Sequence, residues 1–283
     1  MGRVVIKWGG GVITEKSVPC IARPDRIIPL ADCAVELALD GHDVIIVHGA
    51  GSFGHIDAKH YRLNEGYIPD LVDSGIDQLE GVKIVREQMN ELNSAVHRHL
   101  VDAASRMGVG NTDFLHIITH EPRDFALNSG SDFSGNIGVF SDIPSEIKAK
   151  GVIHLTFGDV VDCVGPEKFG ILSGDHLMYR IATELPNVTH CIFAMDEDGI
   201  LTEPGTQGEL IPIWNPELGV NGIHNSNIDV TGGIFLKAEI AAEISQTVEH
   251  VWFIGGKSPN YILDLVQTGE TTGTRIVPTA RYG

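Results

Sequence analysis

Residues 44–55 read VIIVHGAGSFGH, a β-branched run that stops at three glycines and ends on a histidine. The apolar run predicts a strand over residues 44–47. Glycine accepts positive φ and lets backbone N–H groups approach an anion closely. A strand that passes through such a loop into a helix N-terminus is a natural phosphate site. The stretch therefore predicts a phosphate-binding loop behind the second strand of the chain.

Strand-like and helical patterns alternate on both sides of this stretch. Apolar runs predict strands over residues 4–8, 44–47, 114–118, 152–155, 191–194 and 251–254. Helical periodicity predicts helices over residues 27–39, 236–244 and 261–267, and a long helix or a helix pair over 78–107. Such alternation predicts a mainly parallel sheet that is covered on both faces. Glycine and proline are spread through the connections, so we expect one continuous domain, 1–283, with a soft division near residues 158–170.

The composition limits the class of protein. With 20 Lys and Arg against 38 Asp and Glu, the net charge is −18, which argues against nucleic acid as a partner. No apolar run approaches the roughly 18 residues of a membrane helix, and the first residues predict a strand rather than a signal peptide. The four cysteines are scattered without a CxxC pair, which favours reduced thiols. We therefore expect a cytoplasmic protein that binds neither nucleic acid nor membrane and has no protein-ligated metal site.

A second glycine loop follows the first predicted strand. Residues 7–11 read KWGGG, which places consecutive N–H donors beside the ammonium of Lys7. Such a nest suits polyphosphate oxygens, although a flexible turn with a solvated lysine explains the same letters equally well. Lys16 follows closely and could contact the same anion. A single lysine is, however, most often a solvated surface residue.

The spacing of Gly49, Gly51 and Gly54 also satisfies GxGxxG, the fingerprint of dinucleotide-binding folds. That fingerprint belongs to the first βα turn and needs an acidic residue after the next strand, about 20 positions later. Here the loop follows the second strand, and no strand precedes the acidic residues near that spacing, so this alternative is rejected. His55, at the end of the loop, can instead donate a hydrogen bond to a phosphate or phosphonate oxygen.

A third candidate anion site lies in the C-terminal half. Residues 229–233 read DVTGG and precede an Ala- and Ile-rich helix that carries Lys237 one turn inside. Further Gly-Asp or Asp-Gly pairs occur at residues 158–159, 174–175 and 198–199. Taken singly, each pair is an ordinary turn. Their combined order along the chain is the informative observation.

That order resembles the amino-acid kinase family and, within it, the isopentenyl phosphate kinases. The resemblance extends over residues 7–16, 48–55, 158–161, 173–175, 196–200, 229–237 and 272–274. The GSFGH of residues 51–55 marks the subgroup and is shared in looser form with fosfomycin kinases. The resemblance implies an open three-layer α/β/α sandwich with a mainly parallel central sheet, usually as a homodimer. It also implies an acceptor-binding lobe over about residues 1–165 and a nucleotide-binding lobe over 166–283.

By the same resemblance, ATP with Mg²⁺ is the phosphoryl donor. The implied contacts to its phosphates are Lys7, Gly9, Gly10, Gly11, Gly51, Gly233 and Lys237, with Asp196 near the nucleotide. The implied contacts to the acceptor phosphate are Ala50, His55 and Gly158. Lys16 would stabilise the transferring phosphoryl group, so the implied catalytic set is Lys7, Lys16, His55 and Lys237. The chain departs from the family pattern at Trp8, Gly11, His176 and Met195, which leaves the acceptor and the nucleotide preference open.

Three functions remain open on the sequence. The first is ATP-dependent phosphorylation of isopentenyl phosphate, or a close alkyl monophosphate, to the diphosphate in isoprenoid biosynthesis. An acceptor phosphate has a second pKa near 6 and needs no general base. Apolar residues of the segment 75–92 could surround an isoprenoid tail or simply pack in the core: Ile76, Leu79, Val82, Ile84, Val85 and Met89. The second is a kinase for a phosphonate antibiotic such as fosfomycin or another small anion. The third is a non-catalytic nucleotide-binding or storage module.

Overall fold

The structure is a computed structural model that describes residues 2–109, 114–130, 133–142, 151–202, 208–217 and 234–278. Its strands are β1 Arg3–Trp8, β2 Asp43–His48, β3 Leu115–Thr119, β4 Ala126–Leu127, β5 Ser134–Gly135, β6 Gly151–Phe157, β7 Asp159–Asp162, β8 Phe169–Leu172, β9 Val188–Met195, β10 Ile213–Trp214, β11 His250–Gly255 and β12 Thr274–Ile276. Its helices are α1 Gly10–Ile13, α2 Pro24–Leu39, α3 His55–His60, α4 Gln78–Arg106, α5 Pro122–Phe125, α6 Gly174–Glu184, α7 Ile234–Ile244 and α8 Asn260–Thr268. Short 3₁₀ turns cover Leu63–Glu65, Pro69–Ser74 and Ile137–Phe140.

The central sheet has eight strands in the order β10-β12-β11-β9-β1-β2-β6-β3. Neighbouring strands are parallel throughout this order except β11 and β12, which are antiparallel. The interior strands β1 and β2 are β-branched and buried over their central residues, as expected where helices cover both faces of a parallel sheet. The predicted mainly parallel sheet is therefore confirmed.

Helices form a layer on each side of the sheet. Buried residues of α2, α4 and α8 pack in one hydrophobic core, and those of α6 and α7 pack in the other. The helix α4 is one continuous helix of 29 residues, and Asp77 caps it by accepting hydrogen bonds from the N–H groups of Leu79 and Glu80. This arrangement is the three-layer sandwich that the resemblance implies. None of the helices within the described ranges is long and apolar enough to cross a bilayer.

Two elements that position the cleft described below have no counterpart among the predicted ones. The first is the antiparallel hairpin of β7 and β8, which lies outside the main sheet. The second is α6, whose first turn is capped by Ser173 accepting a hydrogen bond from the N–H of His176. The expected lobe boundary near residue 165 falls in the turn of the hairpin.

Candidate active site

A cleft of about 790 Å³ opens at the carboxyl ends of the central parallel strands. The register aligns Trp8 of β1 with His48 of β2, and His48 with Phe157 of β6. The loops that follow these strands therefore leave the sheet side by side. Ligands of open α/β sheets commonly bind at this edge. The loop after β1, the loop after β2, Gly158, the start of α6 and the loop after β9 all line the cleft.

The two glycine loops pack against each other backbone to backbone. A Cβ on Gly10 would lie 2.2 Å from the amide nitrogen of Gly51. Gly51 itself has a φ of +54°, and a Cβ there would lie 2.0 Å from Oγ1 of Thr14. That hydroxyl donates to the carbonyl of Gly10 over 2.7 Å and accepts from the N–H of Ser52 over 3.0 Å. Both glycines are thus required by close approach, and the hydroxyl of Thr14 ties the two segments into one wall of the cleft.

Two lysines from opposite ends of the chain share one carboxylate in the cleft. Lys7 is buried near the end of β1, and its Nζ forms an ion pair with Oδ1 of Asp175. Lys237 of α7 places its Nζ 3.6 Å from Oδ2 of the same residue. Asp175 lies in the first turn of α6 and is itself buried. Two positive charges against one negative charge leave the group cationic, which favours a bound anion.

The pKa values in this group follow from burial and mutual charge. Burial lowers the pKa of Lys7, and Lys237 lowers it further, against the opposing effect of Asp175. Burial alone would raise the pKa of Asp175, but Lys7 and Lys237 together outweigh it and hold that pKa below its usual value. Asp175 is therefore ionised at neutral pH, and it is the counter-charge that allows Lys7 to be buried in its charged form.

Lys16 reaches across the cleft to the loop after β9. Its Nζ forms an ion pair with Oδ2 of Asp196. A Cβ on Gly11 would stand 2.8 Å from Cε of Lys16 and 3.3 Å from that carboxylate oxygen. Gly11, one of the positions that depart from the family pattern, thus leaves space for the Lys16 side chain. The Lys16 side chain remains 70% exposed, so its end is free to move toward a ligand.

His55 begins α3 and lines the cleft together with Ala50 and Gly54. Solvent reaches its ring, yet the surrounding protein displaces part of its hydration, and this burial lowers the pKa of His55. Lys237 and Lys7 lower that pKa further through their charge. The imidazole is consequently neutral at pH 7 and becomes a stronger proton acceptor when an anion binds beside it.

Gly158 and a set of apolar side chains complete the lining of the cleft near His55. The N–H of Gly158 donates to the carbonyl of His48 over 3.1 Å, which ties it to the loop after β2. Of the apolar residues predicted on segment 75–92, Val85 and Met89 line the cleft, whereas Leu79 and Val82 line a separate recess. Further apolar lining comes from positions that were not predicted: Ile56, Ala58, Val160, Ile171 and Leu172.

The structure brings together most of the residues that the sequence singles out. Lining the one cleft are Lys7, Gly9, Gly10, Gly11, Lys16, Ala50, Gly51, His55, Gly158, Asp196 and Lys237. Gly233, with the rest of the 229–233 stretch, lies outside the described residues. In the described part of the chain, no group of three His, Cys, Asp or Glu side chains could hold a metal ion.

Sequence reasoning missed the role of Asp175. The motif of residues 173–175 was noted only as a turn and as part of the resemblance. Two lysines that converge on one anion need a counter-charge when the anion is absent, and this requirement is the signal that could have identified the residue.

Comparison with known proteins agrees with this architecture. The model of the amino acid kinase family matches residues 2–254. The isopentenyl phosphate kinase of Thermoplasma acidophilum is 29% identical over 266 residues, which covers 93% of this chain and 95% of that protein. That of Methanocaldococcus jannaschii is 25% identical over 280 residues, covering 96% and 97% of the two chains.

Solved structures give the same architecture. An X-ray structure of isopentenyl phosphate kinase superposes with a TM-score of 0.75 at 22% identity, covering 97% of this chain and all of that one. The T. acidophilum isopentenyl phosphate kinase product complex has a TM-score of 0.70 at 25% identity, covering 97% and 99%. Carbamate kinase from Giardia lamblia bound to AMP-PNP has a TM-score of 0.67 at 11% identity, covering 98% of this chain and 99% of that one. An identity this low indicates a shared fold and nothing more.

Proposed function

This chain belongs to the amino acid kinase family, and from that premise we propose that it transfers the terminal phosphoryl group of ATP to isopentenyl phosphate or a close alkyl monophosphate. The product would be the corresponding diphosphate. The observation that carries the proposal is a single cleft in which a cation group and closely packed glycines lie next to an apolar wall. Such a cavity suits two phosphate groups and one hydrocarbon tail.

The donor phosphates would lie against Gly9 and the first residues of α1, directly after β1. Gly9, Gly10 and Gly11 allow a ligand to approach the backbone closely, and the buried Lys7 stands behind them. Lys237 approaches the same point from α7, and Asp196 lines the nucleotide side. Arriving phosphate oxygens would replace Asp175 as the partner of both lysines, which links nucleotide binding to release of a preformed ion pair.

The acceptor would lie between the loop after β2 and the β7–β8 hairpin. Ala50, His55 and Gly158 surround the place for its phosphate, and His55 would donate a hydrogen bond to it. Val85, Met89 and Ile171 would contact the tail. Burial of a branched five-carbon tail against such a wall contributes about 0.8 kcal/mol per methylene, so the wall favours an alkyl phosphate over a small polar anion.

Transfer would depend on position and on charge neutralisation. The acceptor phosphate is already ionised at neutral pH, so no side chain has to remove a proton from it. Lys16 would leave Asp196 and follow the charge of the transferring group, which its exposed side chain permits. Lys7 and Lys237 would neutralise the oxygens of the donor.

Mg²⁺, when bound, would neutralise part of the charge on the donor phosphates. The cleft carries separate carboxylates rather than a three-ligand cluster within the described residues, so the nucleotide and water would supply most of its ligands. Asp175 and Asp196 are among the carboxylates that line the cleft and could hold the ion.

The proposed division of labour assigns most of the acceptor site to about residues 1–165 and most of the nucleotide site to about residues 166–283. Lys7 and the glycines after β1 would reach the donor phosphates from the first lobe, and Ile171 would reach the tail from the second. We also propose a homodimer in the cytoplasm, following the family resemblance. Sedimentation equilibrium would support the dimer by giving twice the 30.6 kDa mass of the chain, and a mass of 30.6 kDa would refute it.

A coupled ADP-release assay with an acceptor panel tests the reaction. We expect turnover with isopentenyl phosphate and much less with fosfomycin. Lys237→Met should abolish turnover, whereas Lys257→Met, which removes an exposed lysine outside the cleft, should not. Turnover with fosfomycin alone would replace the proposed acceptor, and ATP binding without any transfer would favour a non-catalytic module.

A further inference from the structure

Asp159 is a buried carboxyl group for which the proposed reaction has no role. It begins β7 directly after Gly158 and lines the same cleft, with 2% of its surface exposed. Its Oδ1 accepts a hydrogen bond of 2.8 Å from the N–H of Val160, whereas Oδ2 has no hydrogen-bond partner among the described residues. An ionised carboxylate in this position would lose its hydration without compensation.

The cations nearest to Asp159 are engaged elsewhere. Arg86 of α4 donates from Nε to the carbonyl of Val160 over 2.9 Å, and its Nη2 pairs with Asp162 over 2.8 Å. Arg123 of α5 pairs with Glu121, the residue before that helix. The strands β4 and β8, which also pack on β7, contribute no titratable side chain. Among the described residues, therefore, no salt bridge offsets the burial of Asp159.

Protonation of this group is accordingly balanced near neutrality. Burial raises the pKa of Asp159 to about 7, and the N–H of Val160, Arg86 and Arg123 oppose that rise only in part. The charge of Glu121 adds to the rise. Near pH 7 the side chain is thus present both as a neutral carboxyl group and as a carboxylate.

We propose that Asp159 is a positioning residue of the acceptor site, whose neutral form admits the acceptor phosphate and whose ionised form repels it. The inference rests on the proposed function, because it needs an acceptor dianion beside Gly158. A neutral carboxyl group has an O–H donor and no charge, so it tolerates a phosphate nearby. A buried carboxylate is repelled by the same dianion through the low-dielectric wall of the cleft. Acceptor affinity should therefore fall as Asp159 loses its proton.

The test is the pH dependence of KM for isopentenyl phosphate between pH 7 and pH 9. The acceptor, with its second pKa near 6, is about nine-tenths dianionic at pH 7 and more so above it, so its own titration would change KM by only about a tenth. With a pKa of about 7 for Asp159, the neutral fraction falls about fivefold from pH 7 to pH 8, and KM should rise by that factor while kcat changes little. Asp159→Asn, which is neutral at every pH, should lose this rise.

Asp162→Asn is the matched control, because Asp162 lies on the same strand with an exposed side chain. It should keep the wild-type pH profile. Asp159→Ser carries the same expectation as Asp159→Asn and serves if the amide variant does not fold. A wild-type KM that stays constant from pH 7 to pH 9, or a rise that both neutral variants retain, would overturn the inference while turnover itself persists. Absence of turnover with every alkyl monophosphate would overturn the proposed function instead.

Discussion

Replacing Asp175 by Asn should destabilise the free protein and make it more dependent on nucleotide. The substitution keeps the shape of the side chain but removes the charge that compensates Lys7 and Lys237. Breaking a buried ion pair from one side costs about 3–5 kcal/mol. The loss in free energy of unfolding has an upper limit, because Lys7 can lose its proton instead of staying charged without a partner. Deprotonating a lysine of pKa 10.4 at pH 7 costs about 4.6 kcal/mol.

A loss of about 3 kcal/mol lowers Tm by roughly 6–12 °C in a chain of this size. The measurement is thermal denaturation by circular dichroism, with and without ATP and Mg²⁺. Donor phosphates would supply the missing negative charge, so ATP should raise the Tm of Asp175→Asn more than that of the wild type. Asp162→Asn removes an exposed ion pair and should change stability by about 1 kcal/mol or less.

The pH dependence of this difference has a definite sign. The pKa of Asp175 is held below its usual value, so its stabilising effect is complete above the unfolded-state pKa of about 3.9. The gap in stability between wild type and variant should stay constant from pH 7 to pH 5 and shrink only below about pH 4. A Tm for Asp175→Asn within the range of the Asp162→Asn control would refute the role assigned to the shared carboxylate.

Three further predictions concern the remaining walls of the cleft. His55→Ala should lower kcat/KM for the acceptor by about 10–100-fold through loss of one hydrogen bond to a charged group, while calorimetry finds the Kd for ATP unchanged within about twofold. Gly10→Ala should separate the two glycine loops, since its Cβ would lie 2.2 Å from Gly51 N, and both ATP binding and turnover should be lost in a protein that still folds by circular dichroism. Ile56→Asp places a charge on the exposed apolar lining, so KM should rise about tenfold for isopentenyl phosphate but little for methyl phosphate. An equal effect on both acceptors would contradict the apolar wall.

The sheet was predictable because its strands carry a strong local signal. The β-branched run of residues 44–47 lies within β2, and the three glycines after it lead into α3 as expected. The predicted helix or helix pair over residues 78–107 is one helix, Gln78–Arg106, since no break in the sequence interrupts α4. Strands such as β7 and β8 span four residues each and hold no periodic pattern long enough to be recognised.

Long-range pairings within the site were not predictable in the same way. Lys7 and Asp175 are 168 residues apart in sequence, and only the fold brings them into contact. The sequence also gives no sign that Oδ2 of Asp159 lacks a hydrogen-bond partner among the described residues, because Gly158-Asp159 is equally typical of an ordinary turn. The Lys16 side chain can pack over Gly11 only because glycine has no Cβ. The sequence shows that residue 11 is a glycine but not which side chain packs over it.

Phosphorus NMR of the complete reaction tests the central proposal most directly. The protein is incubated with ATP, Mg²⁺ and isopentenyl phosphate, and the spectrum is followed over time. The account predicts that the acceptor monophosphate signal is replaced by the coupled pair of an alkyl diphosphate, with one ADP formed for each. Formation of ADP with free phosphate and an unchanged acceptor signal would contradict it.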